Sequence, residues 1–211
     1  MVLVNGVPVD AWIRAGVEWA VHVGDVSAWL RPGSNRLTTL LKQSQGAPAS
    51  VRLVVEGPTG EALARLEVGG ERSAQGFQHA SFELPKGVAT ELWTRAEPLT
   101  KDKAHDAEAL ATYERAAHCI MSEDFAALAR LRFDTGPLSS PLVLRELVSS
   151  ALLVPVPVTQ LRTELGGDGR VLSVWRTQRS APFKFVDRTG KAVFKMCFHL
   201  ARIGGELRWI R

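Results

Sequence analysis

The segment 190–211 limits the possible folds of this chain more than any other segment. From residue 192 to residue 201 the side chains alternate with a period of two, which is typical of a β-strand with one apolar face. Gly204 and Gly205 follow, and glycines readily adopt the positive φ angles of a tight hairpin turn. The segment 207–211 then predicts a returning strand. Because one face of this hairpin is apolar, another element must cover it.

The alternation assigns the side chains of the first strand to two faces. The apolar face consists of Ala192, Phe194, Met196, Phe198 and Leu200, and the opposite face consists of Val193, Lys195, Cys197, His199 and Ala201. We expect Phe194, Met196 and Phe198 to pack under a helix, against Leu110, Tyr113 and Ala117. We interpret the face that carries Lys195 and His199 as a solvent-exposed sheet face.

The composition describes a globular chain with room for two domains. The chain has 211 residues, of which 45% are hydrophobic. No apolar run approaches the roughly 20 residues that a membrane-spanning helix needs. The first residues form a strand-like pattern interrupted at Asn5-Gly6 and not a signal peptide. We therefore expect either a cytoplasmic protein or the mature form of a periplasmic or exported one.

Residues 1–97 predict an all-β domain with a sandwich or jelly-roll fold. Short strand patterns recur in this half, separated by turns rich in Gly and Pro. They lie at 17–23, 36–42, 51–56, 62–68, 76–84 and 88–94. In the turn 31–35, Pro32 fixes φ and Gly33 supplies a positive φ.

Residues 98–211 predict an α+β domain whose helices cover one face of an antiparallel sheet. The segment 104–121 lacks Gly and Pro and predicts a helix with one apolar face. Ser122 is the predicted cap of a second helix that ends near Arg132, and Ser140-Pro141 predicts the start of a third. Strand patterns follow at 158–165, 170–177 and 183–186, before the terminal hairpin. The two domains meet near Pro98, where strand alternation gives way to helical periodicity.

A turn motif in the N-terminal half carries a family resemblance. It consists of Asp25-Val26-Ser27, Leu30, Pro32-Gly33, Asn35 and Leu37, preceded by Asn5-Gly6. The motif resembles that of the galactose-binding-like jelly-roll modules found beside glycoside hydrolase domains. The resemblance covers about residues 3–95 and implies architecture, since many such modules bind no sugar and act in structure or protein docking. A tryptophan of such a module can stack on a sugar ring. We interpret Trp19 and Trp29 as core residues, whereas Trp12 fits either role.

A second set of motifs lies in the C-terminal half. It consists of Ala107-x-x-Leu110, the acidic and aromatic start Ser122-Glu123-Asp124-Phe125, and the closing Gly205-Glu206-Leu207-Arg208-Trp209-Ile210. Residues 104–211 thereby resemble the nuclear-transport-factor-two-like superfamily. The resemblance implies a cone-shaped α+β fold, in which some members hold a small-molecule active site.

The positive charge of the chain is concentrated near its end. Residues 160–211 contain eleven Lys and Arg against four Asp and Glu, a net charge of +7, whereas residues 1–98 and 99–159 are slightly acidic. Such a field attracts nucleic acid, anionic lipid head groups or an acidic protein. Because the basic residues are interleaved along strands and form no run, a solvated strand face is the simplest interpretation, and a protein partner is preferred over nucleic acid.

Cysteine and histidine spacing predicts neither a metal site nor a bound cofactor. Cys119 and Cys197 are distant in sequence, which favours two buried thiols over a single disulfide in an oxidising compartment. Neither cysteine belongs to a zinc-binding pattern. The sequence also contains no phosphate-binding Gly-rich loop and no serine elbow.

Three residues could carry acid–base chemistry if the second domain is an enzyme. Asp106 or His199 could act as a base and Tyr113 could steady an oxyanion. Asp106 and Tyr113 are seven residues apart, so they can share one face of the first helix. An aromatic filling of the helix–sheet interface is the simpler interpretation of Tyr113.

Three hypotheses about function follow. The preferred one is a non-catalytic interaction protein, of the inhibitor, immunity or envelope-assembly type, that binds an acidic protein through its basic C-terminal sheet or through the groove between its domains. We expect Lys195, Arg208 and Arg162 to form that basic face, unprotected by neighbouring carboxylates. The alternatives are a cone-fold enzyme of the isomerase, cyclase or hydrolase kind and a carbohydrate-binding module.

Overall fold

The computed structural model describes residues 2–9, 26–41, 51–57, 59–68, 76–85, 95–133, 141–177 and 180–210. These residues form a β-rich protein with four antiparallel sheets and three α-helices. The chain divides into two compact units, 1–94 and 95–211.

The described part of the first unit consists mainly of β-strands. They are β1 (Val2–Val4), β2 (Val7–Val9), β3 (Gly33–Leu41), β4 (Val51–Glu56), β5 (Ala62–Val68) and β6 (Gly76–Leu84). Four of them pair in the order β2-β1-β3-β6, and β4 and β5 form a separate hairpin. The predicted strands at 51–56, 62–68 and 76–84 are confirmed. Those at 17–23 and 88–94, together with Trp12 and Trp19, lie outside the described residues.

Asn5 connects the β1-β2 hairpin to the turn before β3. Asn5 and Gly6 form the two-residue hairpin turn and have φ angles of +52° and +77°, which explains the Asn-Gly pair. The Asn5 side-chain amide donates to the carbonyl of Trp29 and to Oδ1 of Asn35, at 2.8 Å each. Its own Oδ1 accepts from the backbone N–H of Arg36 at 2.9 Å. Trp29 is buried, as predicted.

Asn35 holds the turn itself. Its side-chain amide donates to the carbonyls of Arg31 at 2.8 Å and Gly33 at 2.9 Å, and its Oδ1 accepts from the N–H of Arg31 at 2.9 Å. Gly33 has the predicted positive φ, +78°. The two asparagines of the sequence motif are therefore one hydrogen-bonded unit.

The described part of the second unit combines helices with two antiparallel sheets. The helices are α1 (Lys103–Met121), α2 (Phe125–Leu131) and α3 (Pro141–Ser150). The strands are β7 (Leu152–Val154), β8 (Leu161–Gly166), β9 (Val171–Arg176), β10 (Phe183–Val186), β11 (Ala192–Met196), β12 (Phe198–Ile203) and β13 (Glu206–Trp209). One sheet has the order β11-β10-β7 and the other β13-β12-β9-β8. At the level of secondary structure this agrees with the α+β prediction.

Aspartates, not Ser122, cap the first two helices. Asp102 accepts a hydrogen bond from the N–H of His105 at the start of α1, and Asp124 does the same for Ala127 at the start of α2. The predicted cap Ser122 is wrong, because Ser122 ends α1: its N–H donates to the carbonyl of His118. The following residue, Glu123, has a φ of +56°, which separates the two helices.

Helix α1 packs on one face of the four-stranded sheet through an aromatic cluster. Tyr113 stacks on Phe183 at 4.9 Å between ring centroids and meets Phe198 edge-on at 5.8 Å. Phe198 in turn lies 5.2 Å from Trp209. The cluster explains why α1 has an apolar face, and it confirms the predicted interface filled by Tyr113.

The predicted single strand from 192 to 201 is wrong, because it is two strands in two sheets. The chain leaves the three-stranded sheet at Met196 and enters the four-stranded sheet at Phe198, with Cys197 between them. Phe198 is fully buried as expected, but Phe194 lies on the edge strand β11 and is 44% exposed. The hairpin of β12 and β13, with positive φ at Gly204 and Gly205, is confirmed.

Two other boundaries differ from the prediction. Residues 158–160 form a 3-10 turn and not the start of a strand, so β8 begins at Leu161. The strand β7 was not predicted. It is short, and prolines at 155 and 157 follow it, so these residues show no clear alternation.

Independent folding of the two units stays a prediction. We expect limited proteolysis to release a resistant fragment that begins near residue 100. Residues 100–102 are exposed and directly precede α1, so a protease can reach them. Mass spectrometry of the fragments identifies the cut. Resistance of the segment 95–103, with first cuts inside either unit, would contradict this expectation.

Candidate functional site

The candidate site is the outer face of the three-stranded sheet β11-β10-β7. Directly paired residues of neighbouring strands share a face. The register pairs Val154 with Lys184 and Lys184 with Lys195, so these three side chains form one row. Leu152 pairs with Val186 in a second row on the same face. We call the face that carries Leu152, Val154, Lys184, Val193 and Lys195 the outer face; Val186 lies on the same side of the sheet but is buried.

The inner face of the same sheet points into the core. Its row consists of Leu153, Phe185 and Phe194, and Phe185 is completely buried. The sheet therefore has one face that belongs to the core and an outer face on which Leu152, Val154, Val193 and Lys195 are exposed.

Apolar side chains are unusually exposed on the outer face. Leu152 is 69% exposed, Val193 52% and Val154 43%. Single exposed apolar residues are ordinary, but three on one small face together with two lysines form a patch of the kind that proteins use for recognition. A partner can bury the apolar side chains of the patch, and the lysines favour a partner with negative charge.

The surroundings of the patch are basic. Residues 183–196 contain four Lys and Arg and one acidic residue, Asp187, a net charge of +3. Asp187 is occupied within its own turn: its Oδ1 accepts from the hydroxyl and N–H of Thr189, at 2.6 and 2.8 Å, and from the N–H of Lys191 at 3.0 Å. The hydrogen bond from the Thr189 hydroxyl is the main cause that lowers the pKa of Asp187. Among the described residues, none makes an ion pair with Lys184.

The structure separates the three predicted partner-binding residues. Lys195 lies on β11, whereas Arg162 on β8 and Arg208 on β13 lie at opposite edges of the other sheet. Arg162 contacts Glu164 at 2.9 Å and Arg208 contacts Glu206 at 3.0 Å. The expectation of one basic face without neighbouring carboxylates is therefore wrong, because the three residues lie in two sheets and both arginines contact a glutamate.

Tyr113 is buried, and its hydroxyl makes contacts within the protein. Its hydroxyl accepts a hydrogen bond from the N–H of Val156 at 2.9 Å and lies 3.4 Å from the carbonyl of Pro182. Burial raises the pKa of Tyr113, so the phenol stays protonated. The hydroxyl thus connects α1 to the segments before β8 and β10.

Asp106 and His199 lie on opposite sides of the four-stranded sheet. Asp106 on α1 accepts a hydrogen bond from the hydroxyl of Thr163, which shares the helix-covered face with Phe198. His199 is on the other face, where its Nδ1 lies 2.9 Å from the hydroxyl of Ser173. His199 is 2% exposed, so its interpretation as a solvent-exposed residue is wrong. The structure does not bring the three candidate acid–base residues together.

Cys119 and Cys197 are both buried and no disulfide joins them. In the described part of the chain, His, Cys, Asp and Glu nowhere gather in the groups of three that a metal site needs. No helix among the described residues has the length and apolar character to cross a membrane.

Sequence reasoning missed most of the outer face. Leu152 and Val154 were missed because β7 is too short to show alternation. The position of Lys184 on this face was predictable, since the predicted strand 183–186 places it on the side opposite Phe183 and Phe185.

No protein-family model, curated protein or solved structure matches this chain.

Proposed function

We propose that this protein is a non-catalytic interaction protein that binds an acidic protein partner through the outer face of its three-stranded sheet. The observation that carries the proposal is the exposure of Leu152, Val154 and Val193 on the face that also holds Lys184 and Lys195. Apolar contacts would supply most of the affinity, and the lysines would raise the association rate of an acidic partner.

The proposal extends to the fold of the two units. We infer a jelly-roll module for the first unit, supported by the asparagine unit that joins the motif residues. We infer a cone-shaped fold of the nuclear-transport-factor-two-like kind for the second. The long helix α1 on one sheet face and the closing strand with Trp209 support this inference.

The separation of Tyr113 and His199 by the sheet favours binding over catalysis as the role of the second unit. A general base acts only within hydrogen-bond reach of the reacting group. Tyr113 is used inside the helix–sheet interface, and His199 contacts Ser173 on the other side. The contacts of Tyr113 and His199 thus stabilise the fold of the second unit.

Charge reversal tests the proposal. A random peptide display library is selected against the intact protein, and peptides enriched in Asp and Glu together with apolar residues are the expected result. We expect the double variant Lys184→Glu, Lys195→Glu to bind these peptides about tenfold or more weakly at about 0.05 M salt. The difference should shrink at about 0.5 M salt, because screening weakens the attraction of exposed charges. Fluorescence anisotropy measures the affinities.

A matched control keeps the same change in net charge at another surface. Lys101 and Arg130 are exposed and lie outside the three-stranded sheet. The variant Lys101→Glu, Arg130→Glu should bind the peptides as the wild type does, and both variants should keep the wild-type melting temperature within a few degrees, as is usual for surface substitutions. Equal losses in the two variants, or selected peptides without an acidic excess, would refute the proposed surface.

A further inference from the structure

We propose that the partner binds as an added β-strand along β11, and that this strand alternates acidic and apolar side chains. The inference rests on the proposed function and specifies how the acidic partner is held at the β11 edge of the outer face, the edge opposite Leu152 and Val154 on β7. Strand addition uses backbone hydrogen bonds for affinity and alternate side chains for selectivity.

The position of β11 makes the addition possible. Strand β11 is at the edge of the order β11-β10-β7, and within the described residues only β10 pairs with it. In an antiparallel pair, part of the backbone N–H and C=O groups of an edge strand point away from the neighbouring strand. These groups can pair with a strand from another chain.

The inner face specifies an apolar residue. The row of Leu153, Phe185 and Phe194 runs from β7 across the buried Phe185 on β10 to β11, and its last member, Phe194, is 44% exposed. Phe194 already lies 6.0 Å from the ring of Phe185, so one side of its ring is packed. A further strand would place its own side chain next in this row, where an apolar residue covers the exposed part of Phe194.

The outer face specifies an acidic residue. Among the described strands, the row of Val154, Lys184 and Lys195 has Lys195 as its last member, on the same edge. The next side chain in that row would belong to the added strand, and opposite charges side by side stabilise such a pair. Since neighbouring residues of a strand alternate between faces, the added strand must alternate apolar and acidic residues.

The basic residues also select against a second copy of this chain. Pairing two β11 strands would bring together two segments that each have a net charge of +3 over residues 183–196. Lysines at sheet edges commonly prevent such self-association. The same charges attract an acidic strand, so one feature favours the partner and disfavours the alternative.

The register shift in this sheet limits where the strand can pair. The pairing of β10 and β11 shifts between Phe185 and Val186, which leaves Val193 as an extra residue on β11. Regular pairing therefore continues through Phe194, Lys195 and Met196. We expect the strongest contacts at these residues.

Synthetic peptides test the inference on the intact protein. The probe is a fluorescent peptide of about eight residues that alternates Glu and Val, a length typical of strands. Its control has the same composition with the glutamates grouped at one end. We expect the alternating peptide to bind at least about tenfold more tightly, and hydrogen exchange at residues 192–196 to slow when it is bound.

Backbone methylation separates strand addition from binding by charge. Two further peptides carry N-methyl groups on all valines or on all glutamates, so each has lost the donors of one strand edge while keeping its charge. One of the two should lose binding at least about tenfold, because an added strand uses one edge.

The outcomes distinguish the inference from the proposed function. If both methylated peptides bind as the parent does and exchange at 192–196 is unchanged, strand addition is refuted, while loss of binding in the Lys184→Glu, Lys195→Glu variant would still support the outer face. If the alternating peptide does not bind although selected acidic peptides do, strand addition is likewise refuted. A concentration-dependent dimer with slow exchange at β11 in the absence of peptide would make a second copy the occupant.

Discussion

Replacing Phe198 with alanine is expected to reduce the free energy of unfolding by about 3–5 kcal/mol. Phe198 is fully buried on β12, where its ring contacts Tyr113, Phe183 and Trp209 at centroid distances of 5.2 to 5.8 Å. The substitution removes apolar contact from three rings and leaves a cavity that the surrounding helix and strands fill only in part.

Phe194 provides the matched control, because the two phenylalanines lie close in sequence and share the same alternating pattern. Phe194 is 44% exposed at a sheet edge, so Phe194→Ala should cost about 1 kcal/mol or less. Urea unfolding measures both losses, and hydrogen exchange of α1 and β12 assigns the loss to the second unit. A loss under about 1 kcal/mol for Phe198→Ala, or equal losses for both variants, would show that the described packing is wrong.

The contrast between these two residues shows what a period of two can predict. Alternation correctly places Phe194 and Phe198 on a common side within an extended segment. It does not reveal that the chain changes sheets at Cys197, because both strands keep the same alternation across the break. Burial depends on what covers a face, which local periodicity does not record.

His199 shows a related limit. Lys195 and His199 lie on the side opposite Phe194 and Phe198, which predicted a solvated face, yet Cys197, His199 and Ala201 on that side are buried. The segment 197–201 is almost entirely apolar, which is typical of a strand that is buried on both faces. The composition of this segment alone therefore indicates burial, and a buried histidine needs a partner such as Ser173.

Local residue patterns predicted helix and hairpin boundaries most accurately. The absence of Gly and Pro predicted α1 to within one residue at its start, and the Gly204-Gly205 pair predicted the hairpin of β12 and β13. The cap of α2 was misplaced by two residues, since Ser122 and Asp124 are both favourable caps and only the positive φ of Glu123 decides between them. The candidate site was only partly predictable, because its rows join β10 and β11 to β7, which is short and distant from them in sequence.

Asn35→Ala is expected to reduce the stability of the first unit by about 2–4 kcal/mol. The buried side chain of Asn35 makes four hydrogen bonds, to Asn5, to the N–H and carbonyl of Arg31 and to the carbonyl of Gly33. Alanine leaves these groups without their partner, and each buried polar group left unpaired costs about 1–3 kcal/mol. Ser34→Ala at the neighbouring exposed position should change stability by less than about 0.5 kcal/mol.

A double-mutant cycle shows whether Asn5 and Asn35 act as one unit. Asn5 also forms the hairpin turn with a φ of +52°, so Asn5→Ala loses both the hydrogen bonds and a residue suited to that backbone conformation. If the side chains act together, the variant Asn5→Ala, Asn35→Ala should lose at least about 1 kcal/mol less than the two single losses combined. Hydrogen exchange of β1 and β3 measures each loss within the first unit. Strict additivity would show that the two asparagines stabilise the hairpin and the turn independently.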